Sequence, residues 1–265
     1  MTGEDRAGLG DPLRSALEEI ARTERLLVAL DFDGTLAPEV DDPDAARALP
    51  AAHAAVERLA ALPGTRVALV SGRSVDDLER VSRFGDEVLL VGSHGIELRL
   101  DDPDDVIALN DKERESMTLL EQVLEQVADS LDQVWLEPKP AGYALHTRLA
   151  TSRRSRVAHL VALSEARAEV DDLKVRMGKN VIEFSVRSTT KGEAVEHLRR
   201  YTDATAVLYA GDDVTDEDAF RRLRGEVPGA VTVRVGSPDV ETAAEFVVDD
   251  PAAVRGMLER LAALG

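Results

Sequence analysis

The 265-residue sequence contains no cysteine, and only 3% of its residues are aromatic. The absence of cysteine excludes disulfide bonds and any metal site with thiolate ligands. Because aromatic side chains are scarce, alanine, valine and leucine must fill most of the core of a chain that is 44% hydrophobic. No apolar run reaches the roughly 20 residues that a helix needs to span a bilayer. Residues 1–12 are polar and show no signal-peptide core, so we expect a cytoplasmic protein with no membrane as partner.

Positive charge is also in short supply. The sequence has 32 lysine and arginine residues against 51 aspartate and glutamate residues, which gives a formal net charge of -19. This excess of acidic groups argues against nucleic acid or an anionic membrane surface as a partner. We expect most of the charge on a solvated, self-repelling surface. An anionic substrate would therefore need a cation and basic side chains gathered in its pocket.

Strands and helices alternate at both ends of the chain, whereas the middle follows a different order. Apolar runs that end in polar loops, each followed by a helical pattern, predict a parallel sheet. In the middle, a helix and two strands are followed by a second helix and two more strands, which indicates a small antiparallel sheet with helices on one face. We therefore predict an α/β fold in which a doubly wound parallel-sheet core, residues 1–102 and 188–265, is interrupted by a smaller α+β cap domain, residues 103–187.

The most informative stretch is Leu26–Val40, which reads LLVALDFDGTLAPEV. Its first five residues form an apolar run that is typical of a strand buried on both faces of a parallel sheet. Asp31 and Asp33 follow where that strand ends, and open α/β sheets bind ligands at the carboxyl ends of their strands. Two neighbouring carboxylates repel each other unless a cation lies between them. The stretch predicts a metal-assisted site with one aspartate available for covalent chemistry.

Three further features end strands of the same kind and can meet these aspartates at one edge of the sheet: Ser71, Lys191 and the pair Asp212–Asp213. Phosphoryl transfer requires such a set. An aspartate can attack the phosphoryl group and form an acyl-phosphate that water later hydrolyses. Magnesium prefers oxygen ligands and needs only a few carboxylates together with oxygens of the substrate. A lysine and a hydroxyl can complete the cradle around the phosphoryl group.

Each of these features also has an ordinary structural explanation. Ser71 could cap a helix that begins near Ser74, and Lys191 could be a surface lysine, although the positive end of a helix dipole is an unfavourable place for one. Asp212 and Asp213 could stabilise the start of the following helix. All four features occur in the right order, each after a strand, and this coincidence favours the catalytic interpretation.

The core features resemble the haloacid-dehalogenase (HAD) superfamily of phosphatases, in which DFDGT follows a buried strand and a Ser-Gly pair, an isolated lysine and GDD come later. The resemblance implies a HAD-like, Rossmann-type core and Mg²⁺ as the cofactor. It makes Asp31 the nucleophile and a metal ligand, and Asp33 the acid and base, whose backbone carbonyl binds the metal. Lys191 would neutralise Asp31 and the phosphate, and Asp216 would lie beside the metal site. The residues assigned to the phosphate are Thr35, Ser71, Gly72 and Lys191, and those assigned to the metal are Asp31, Asp33, Asp212 and Asp213.

The insert carries charged residues on or beside its strands, and such groups suit the hydroxyls of a sugar. Together with the core motifs they resemble the trehalose-6-phosphate phosphatase family over nearly the whole chain, from about Leu26 to Asp250. The shared motifs are GSHGIE (Gly92–Glu97), ExKPxGxxxHxR (Glu137–Arg148), GKxVxE (Gly178–Glu183), TKG (Thr190–Gly192) and GDDVTDEDAF (Gly211–Phe220). The resemblance implies that the insert grips the distal glucose. The residues assigned to the substrate are Arg73, His94, Glu137, Lys139, Arg148 and Glu183.

The resemblance implies a Mg²⁺-dependent phosphomonoesterase that converts trehalose 6-phosphate to trehalose and phosphate through an aspartyl-phosphate, in trehalose biosynthesis. We expect a monomer in the stand-alone form, since the chain lacks room for an attached glycosyltransferase domain. One alternative is a sibling phosphatase for sucrose phosphate or mannosylglycerate phosphate. Another is a non-catalytic sugar-phosphate sensor, which is disfavoured because every catalytic position is filled. Trp135, the sole tryptophan, is expected in the core of the cap rather than as a surface for the sugar.

Overall fold

The structure, a computed structural model, describes residues 9–101, 109–178, 180–187, 189–227 and 229–265, without the side chains of 225 and 226. The described residues form two compact units, a larger one within Met1–Val106 and Thr189–Gly265 and a smaller one within Ile107–Ser188. The predicted start of the insert at residue 103 and Lys179 of the GKxVxE motif lie outside the described residues.

The secondary-structure elements of the described residues are numbered along the chain. The strands are β1 (Leu26–Leu30), β2 (Thr65–Val70), β3 (Val88–Gly92), β4 (Glu97–Arg99), β5 (Trp135–Lys139), β6 (Gly142–His146), β7 (Lys174–Gly178), β8 (Val181–Ser185), β9 (Ala206–Gly211), β10 (Val231–Val235) and β11 (Phe246–Val248). The α-helices are α1 (Asp11–Ile20), α2 (Pro50–Ala60), α3 (Val75–Ser82), α4 (Asp111–Asp129), α5 (Ser152–Glu169), α6 (Lys191–Tyr201), α7 (Asp216–Glu226) and α8 (Pro251–Leu264).

The sheet of the larger unit has the strand order β11-β10-β9-β1-β2-β3-β4. Neighbouring strands of this sheet pair in parallel except for β3 and β4, which are antiparallel. β1 lies at the centre with all five residues buried, as its apolar run predicts. The chain first builds outward from β1 on one side and later from β9 on the other. The strand order therefore reverses beside β1, and this is where a doubly wound sheet opens a crevice for a ligand.

Apolar side chains cover both faces of this sheet. On one face, Leu17 of α1, Val56 of α2 and Met257 of α8 pack against the strands in one buried cluster. On the other face, Leu198 of α6 and Phe220 of α7 belong to a second cluster. Helices on both faces of a mostly parallel sheet confirm the predicted doubly wound core.

The smaller unit is a four-stranded antiparallel sheet in the order β5-β6-β8-β7, accompanied by α4 and α5. Alternate residues of its strands, among them Leu145, Ile182 and Phe184, pack with Leu124 of α4 and Ala162 of α5. Because successive side chains of a strand point to opposite faces, the remaining residues form a second face without helices. The predicted α+β character of the insert is confirmed.

Among the described residues, no helix is long and apolar enough to cross a membrane.

Candidate active site

The aspartates of the DFDGT motif lie at the carboxyl end of β1, beside the end of β9. The backbone N–H of Asp31 donates to the carbonyl of Ala210 at 2.9 Å, which continues the ladder between the two strands. Gly34 follows with a φ of +75°, and a Cβ added there would lie 2.0 Å from Oδ2 of Asp212. Only glycine combines this backbone conformation with so close an approach, so Gly34 lets the two acidic loops meet.

Lys191 lies between two buried carboxylates. Its Nζ is 2.9 Å from Oδ1 of Asp31 and 2.8 Å from Oδ1 of Asp216. The exposed fractions are 3% for Lys191, 5% for Asp31 and 0% for Asp216. A capping box at the start of α6 fixes this position. The hydroxyl of Thr190 accepts from the backbone N–H of Glu193, and the carboxylate of Glu193 accepts from the backbone N–H of Thr190. The surface-lysine explanation for Lys191 is therefore wrong.

Burial governs the electrostatics of this cluster. It raises the pKa of the Asp31 carboxyl well above its ordinary value, although Lys191 opposes the shift. Burial also raises the pKa of Asp212. For Lys191, burial alone would lower the pKa, but the charges of Asp31 and Asp216 outweigh it and the net direction is upward. Three carboxylates thus share one ammonium group here, and a further cation would relieve their repulsion.

Carboxylate oxygens of Asp31, Asp212 and Asp216 all lie within 4.8 Å of one another. This set offers hard oxygen donors, in partly or fully buried positions, which is the donor chemistry that divalent magnesium or calcium binds. Asp213 does not belong to this set, and its Oδ1 accepts a hydrogen bond from the backbone N–H of Val214 at 2.6 Å. The residues present therefore fit a divalent cation at the end of β1 and β9.

Asp216 also organises the loop around the site. The hydroxyl of Tyr209 donates to its Oδ1 at 2.5 Å. The backbone N–H groups of Asp212 and Asp213 donate to its Oδ2 at 3.1 and 3.0 Å. Sequence reasoning placed Asp216 beside the metal but missed Tyr209, whose only signal is its place at the end of an apolar strand.

Asp33 is held by an arginine from a different loop. Nε and Nη2 of Arg73 donate to the two carboxylate oxygens of Asp33 at 2.6 and 2.7 Å. These hydrogen bonds raise the pKa of Arg73. The resemblance assigns Arg73 to the substrate, and in the structure Arg73 also orients the carboxyl group predicted as acid and base.

Two hydroxyls predicted to contact phosphate lie beside this cluster in buried positions. Thr35 is fully buried, and its Oγ1 finds no hydrogen-bond partner among the described residues. Ser71 is 2% exposed, and its Oγ accepts from the backbone N–H of Arg73 at 3.1 Å. The following helix is capped by Ser74, whose Oγ accepts from the N–H of Asp77 at 3.2 Å. The helix-cap explanation for Ser71 is therefore wrong.

The GSHGIE loop packs against the Ser-Gly-Arg loop. The N–H of His94 donates to the carbonyl of Ser71 at 2.9 Å, and a Cβ added at Gly72 would lie 2.8 Å from the imidazole of His94. Glu97 joins the loops, because its carboxylate accepts from Ser93 Oγ at 2.5 Å and from the N–H of Val75 at 3.0 Å. Sequence reasoning recognised the motif but did not identify Glu97 as the residue that joins the loops.

The smaller unit gathers its charged residues on the sheet face without helices, which we call the polar face. Glu137 on β5 and Glu183 on β8 both lie opposite Ala144 of the intervening strand β6. Lys139 lies opposite Gly142 in the next row. The β6 residues at these two positions, Ala144 and Gly142, are small, so the charged side chains of the neighbouring strands extend beyond them. Oε1 of Glu137 accepts from Nζ of Lys139 at 2.7 Å.

The prediction that Trp135 belongs to the core of the cap is wrong. Trp135 shares its strand face with Glu137 and Lys139, because residues two apart on a strand point the same way. Its ring stacks on the imidazole of His146, with centroids 5.0 Å apart and planes 8° apart. The guanidinium carbon of Arg148, whose side chain is exposed, lies 5.2 Å from the centre of the Trp135 ring.

Comparisons with known proteins point to one family. The sequence profile of the family described as trehalose-phosphatase matches residues 29–252. The trehalose-phosphate phosphatase of Mycolicibacterium paratuberculosis is 40% identical over 248 residues, which cover 89% of this chain and 61% of that protein. The corresponding protein of Mycobacterium tuberculosis is 35% identical, again over 89% of this chain and 61% of its own length. The chain thus spans about three fifths of the length of these relatives.

A solved structure shows the same fold over its full length. The trehalose-6-phosphate phosphatase of Aspergillus fumigatus superposes with a TM-score of 0.65 at 27% sequence identity. The match covers 95% of this chain and 98% of that chain.

Proposed function

The chain belongs to the trehalose-phosphatase family, and from this premise we propose that it hydrolyses trehalose 6-phosphate to trehalose and phosphate. One observation carries the proposal: a buried aspartate at the end of the central strand, in contact with a buried lysine, beside the other carboxylates of the cluster. Such a nucleophile is poised for phosphoryl transfer to its own carboxylate.

In the proposed first step, a carboxylate oxygen of Asp31 attacks phosphorus, and the bond from phosphorus to the sugar oxygen breaks. Asp33 gives its proton to that leaving oxygen. Lys191 stays beside Asp31 and neutralises charge on the carboxylate and the phosphoryl oxygens. In the structure Arg73 donates to both oxygens of the Asp33 carboxylate, which orients Asp33 in the ionised form that the second step uses.

In the proposed second step, the Asp33 carboxylate takes a proton from water as the water oxygen attacks the aspartyl-phosphate. The bond between phosphorus and Asp31 breaks, which releases phosphate and restores the nucleophile. The buried hydroxyls of Thr35 and Ser71, with the backbone at Gly72, are proposed to bind the phosphoryl oxygens. The hydroxyl of Thr35, which lacks a partner among the described residues, suits this role.

We propose Mg²⁺ as the metal, held by the carboxylates of Asp31 and Asp212 and the backbone carbonyl of Asp33, with Asp213 nearby. When bound, such a cation neutralises negative charge on the carboxylates and the phosphoryl oxygens. Asp216, which accepts hydrogen bonds from two backbone N–H groups of the loop, is proposed to keep Asp212 in position.

The polar face of the smaller unit is proposed to select the sugar. Carboxylates accept hydrogen bonds from hydroxyl groups, and ammonium and guanidinium groups donate to them. Glu137, Lys139 and Glu183 lie beside the small residues Gly142 and Ala144 of β6, while Arg148 lies over Trp135. His94, from the larger unit, is also proposed as a substrate residue. We further propose a cytoplasmic monomer with no nucleic-acid partner, in keeping with the net charge of -19.

The test is phosphate release from a panel of sugar phosphates, with and without Mg²⁺. We expect trehalose 6-phosphate to be turned over at least about tenfold more efficiently than glucose 6-phosphate, sucrose 6-phosphate or mannosylglycerate phosphate, because only it matches the hydroxyls that the polar face binds. EDTA should abolish release, and Mg²⁺ should restore it. Equal rates across the panel would remove the trehalose assignment, and tight binding without turnover in Mg²⁺ would favour a sensor.

A further inference from the structure

Two side chains of the polar face have no part in the function proposed above. Trp135 on β5 and His146 on β6 lie directly opposite each other in the strand register. Their rings are stacked nearly parallel, with centroids 5.0 Å apart. Trp135 is half-buried, and it does not belong to the apolar cluster that the described residues form with α4 and α5. Filling the core therefore does not explain why an indole is placed here.

Each ring also touches a charged residue that we assign to the sugar. Nε2 of His146 is 2.6 Å from Oε2 of Glu137. The guanidinium carbon of Arg148 lies 5.2 Å from the indole centre, within the range of a cation–π interaction. The contacts thus run from Arg148 through Trp135 and His146 to Glu137.

The two ends of this row are long side chains that are flexible when alone. A glutamate or arginine on the surface of a sheet samples many rotamers, and fixing them on binding reduces affinity. Here His146 holds one oxygen of Glu137 while Lys139 holds the other at 2.7 Å. The flat face of Trp135 restricts Arg148 in the same way. Both ends are thus in contact with side chains that can hold them in place.

We infer that Trp135 and His146 are positioning residues, which fix Glu137 and Arg148 for the sugar hydroxyls and so set selectivity for the sugar. The inference rests on the proposed function for the identity of the ligand. This role differs from direct contact between the indole and the sugar, because the two rings act by holding Glu137 and Arg148 in place. Removing either ring then has nearly the same effect as removing both.

A kinetic double-mutant cycle tests this coupling. Trp135→Leu should raise KM for trehalose 6-phosphate roughly five- to tenfold and leave kcat within about twofold, because ordering of the binding groups is lost while the chemistry is untouched. His146→Leu should do the same, and the double variant should be no worse than about twofold beyond either single one. Trp135→Phe, which keeps a stacking ring, should recover most of the loss. With an aryl phosphate, kcat/KM should stay unchanged in every variant.

The control is Val157→Ala, an apolar truncation on the exposed side of α5, where the residue is 42% exposed. It should leave both substrates unaffected. Thermal melting separates misfolding from loss of positioning, and Trp135→Phe provides a folded comparison if the leucine variant is unstable. Additive effects of the two single variants would overturn the inference in favour of direct contact, and equal losses on both substrates would overturn it in favour of a purely structural role.

Fluorescence gives a second readout that does not depend on turnover. Trp135 is the sole tryptophan, so the tryptophan emission of the protein comes from this site alone. Adding trehalose 6-phosphate to EDTA-treated protein should change the emission saturably, and His146→Leu should shift the midpoint by about the same factor as it shifts KM. A midpoint that His146→Leu leaves unchanged would overturn the inference. If wild-type protein releases no phosphate, the proposed function fails separately, and this titration still decides whether Trp135 lies at a sugar site.

Discussion

The two polar regions of the molecule differ in how deeply they hold charge. In the larger unit, Asp31 and Lys191 are 5% and 3% exposed, whereas in the smaller unit the side chains of Glu137 and Lys139 are 44% and 35% exposed. A buried charge without a partner costs on the order of several kcal/mol, while a half-exposed pair is screened by water and contributes little. Substitutions in the buried cluster are therefore costly, and such a cluster suits the phosphoryl-transfer step that is the same for every substrate. The exposed face tolerates small changes and suits selection among sugars.

Asp31→Asn tests the buried side of this comparison and should have the largest effect. The amide is neither a competent nucleophile nor an anionic metal ligand, so phosphate release should fall at least about 10³-fold for every substrate, sugar or aryl. Phosphate release in saturating Mg²⁺ measures it, with circular dichroism to confirm folding. Asp44→Asn, which changes an exposed carboxylate 70% open to solvent, is the matched control and should keep full activity. Substantial release by Asp31→Asn would mean that another group is the nucleophile.

Thr35→Val should separate activity from stability inside the buried site. Its hydroxyl is buried and has no partner among the described residues, so the free protein bears the cost of burying it. Valine keeps the shape and removes that cost. We expect the free energy of unfolding to stay equal or rise, while kcat/KM falls roughly 10- to 100-fold because a hydrogen bond to the phosphoryl group is lost. Urea unfolding and phosphate release measure the two quantities.

Thr23→Val is the matched control for Thr35→Val. The hydroxyl of Thr23 donates to the carbonyl of Ile20 at 2.7 Å. Losing a satisfied hydrogen bond should lower the free energy of unfolding by about 1 kcal/mol and leave activity intact. Thr23→Val should thus lose stability and keep activity, whereas Thr35→Val should keep stability and lose activity. If Thr35→Val also lost stability with full activity, its hydroxyl would serve the fold rather than the phosphate.

Glu183→Ala tests the exposed side and should give a smaller, selective loss. Removing one exposed hydrogen-bonding group should lower kcat/KM for trehalose 6-phosphate by roughly 3- to 10-fold. Turnover of an aryl phosphate should not change, because that substrate has no sugar hydroxyls. Glu169→Ala, which removes an exposed carboxylate at the end of α5 in the same unit, should affect neither substrate. Equal losses on both substrates would indicate that Glu183 is structural.

The sequence predicts the buried site better than the exposed one, and the reason is physical. Asp31, Ser71 and Lys191 each follow a run of apolar residues or begin a capped helix, so their place at the sheet edge follows from local pattern. Trp135 sits within three consecutive apolar residues, Val134 to Leu136, so alternation alone cannot say which face of the strand packs on the helices. Only the register with β6 resolves that choice.

Contacts between distant segments lie beyond any local pattern. Arg73 reaches Asp33 across 40 positions of sequence, and Lys191 reaches Asp216 across 25. The sequence supplied the residue types that such pairs need, but the pairings depend on how the βα loops meet at the switch point beside β1.

One ion pair tests whether burial, rather than the unit, sets the strength of charge pairing. Arg187 and Glu113 form a two-pronged ion pair in the smaller unit, and their side chains are only 11% and 16% exposed. The hydrogen bond from Arg187 lowers the pKa of Glu113. Because the folded pKa is depressed, this stabilisation is present above the unfolded value near 4.3 and is lost as pH falls through the folded pKa.

Glu113→Gln should therefore lower the free energy of unfolding by roughly 1 kcal/mol at pH 7, and the difference from wild type should vanish on acidification below the folded pKa. Glutamine still offers an oxygen to the N–H of Asn110, so the helix cap is kept. Lys112→Ala breaks the neighbouring pair with Asp172, whose side chains are 69% and 82% exposed, and should change stability by less than about 0.5 kcal/mol at either pH. Urea unfolding at pH 7 and pH 3 measures both variants. Equal effects of the two would show that burial does not decide the strength of these pairs, and the contrast between the buried cluster and the polar face would then need another cause.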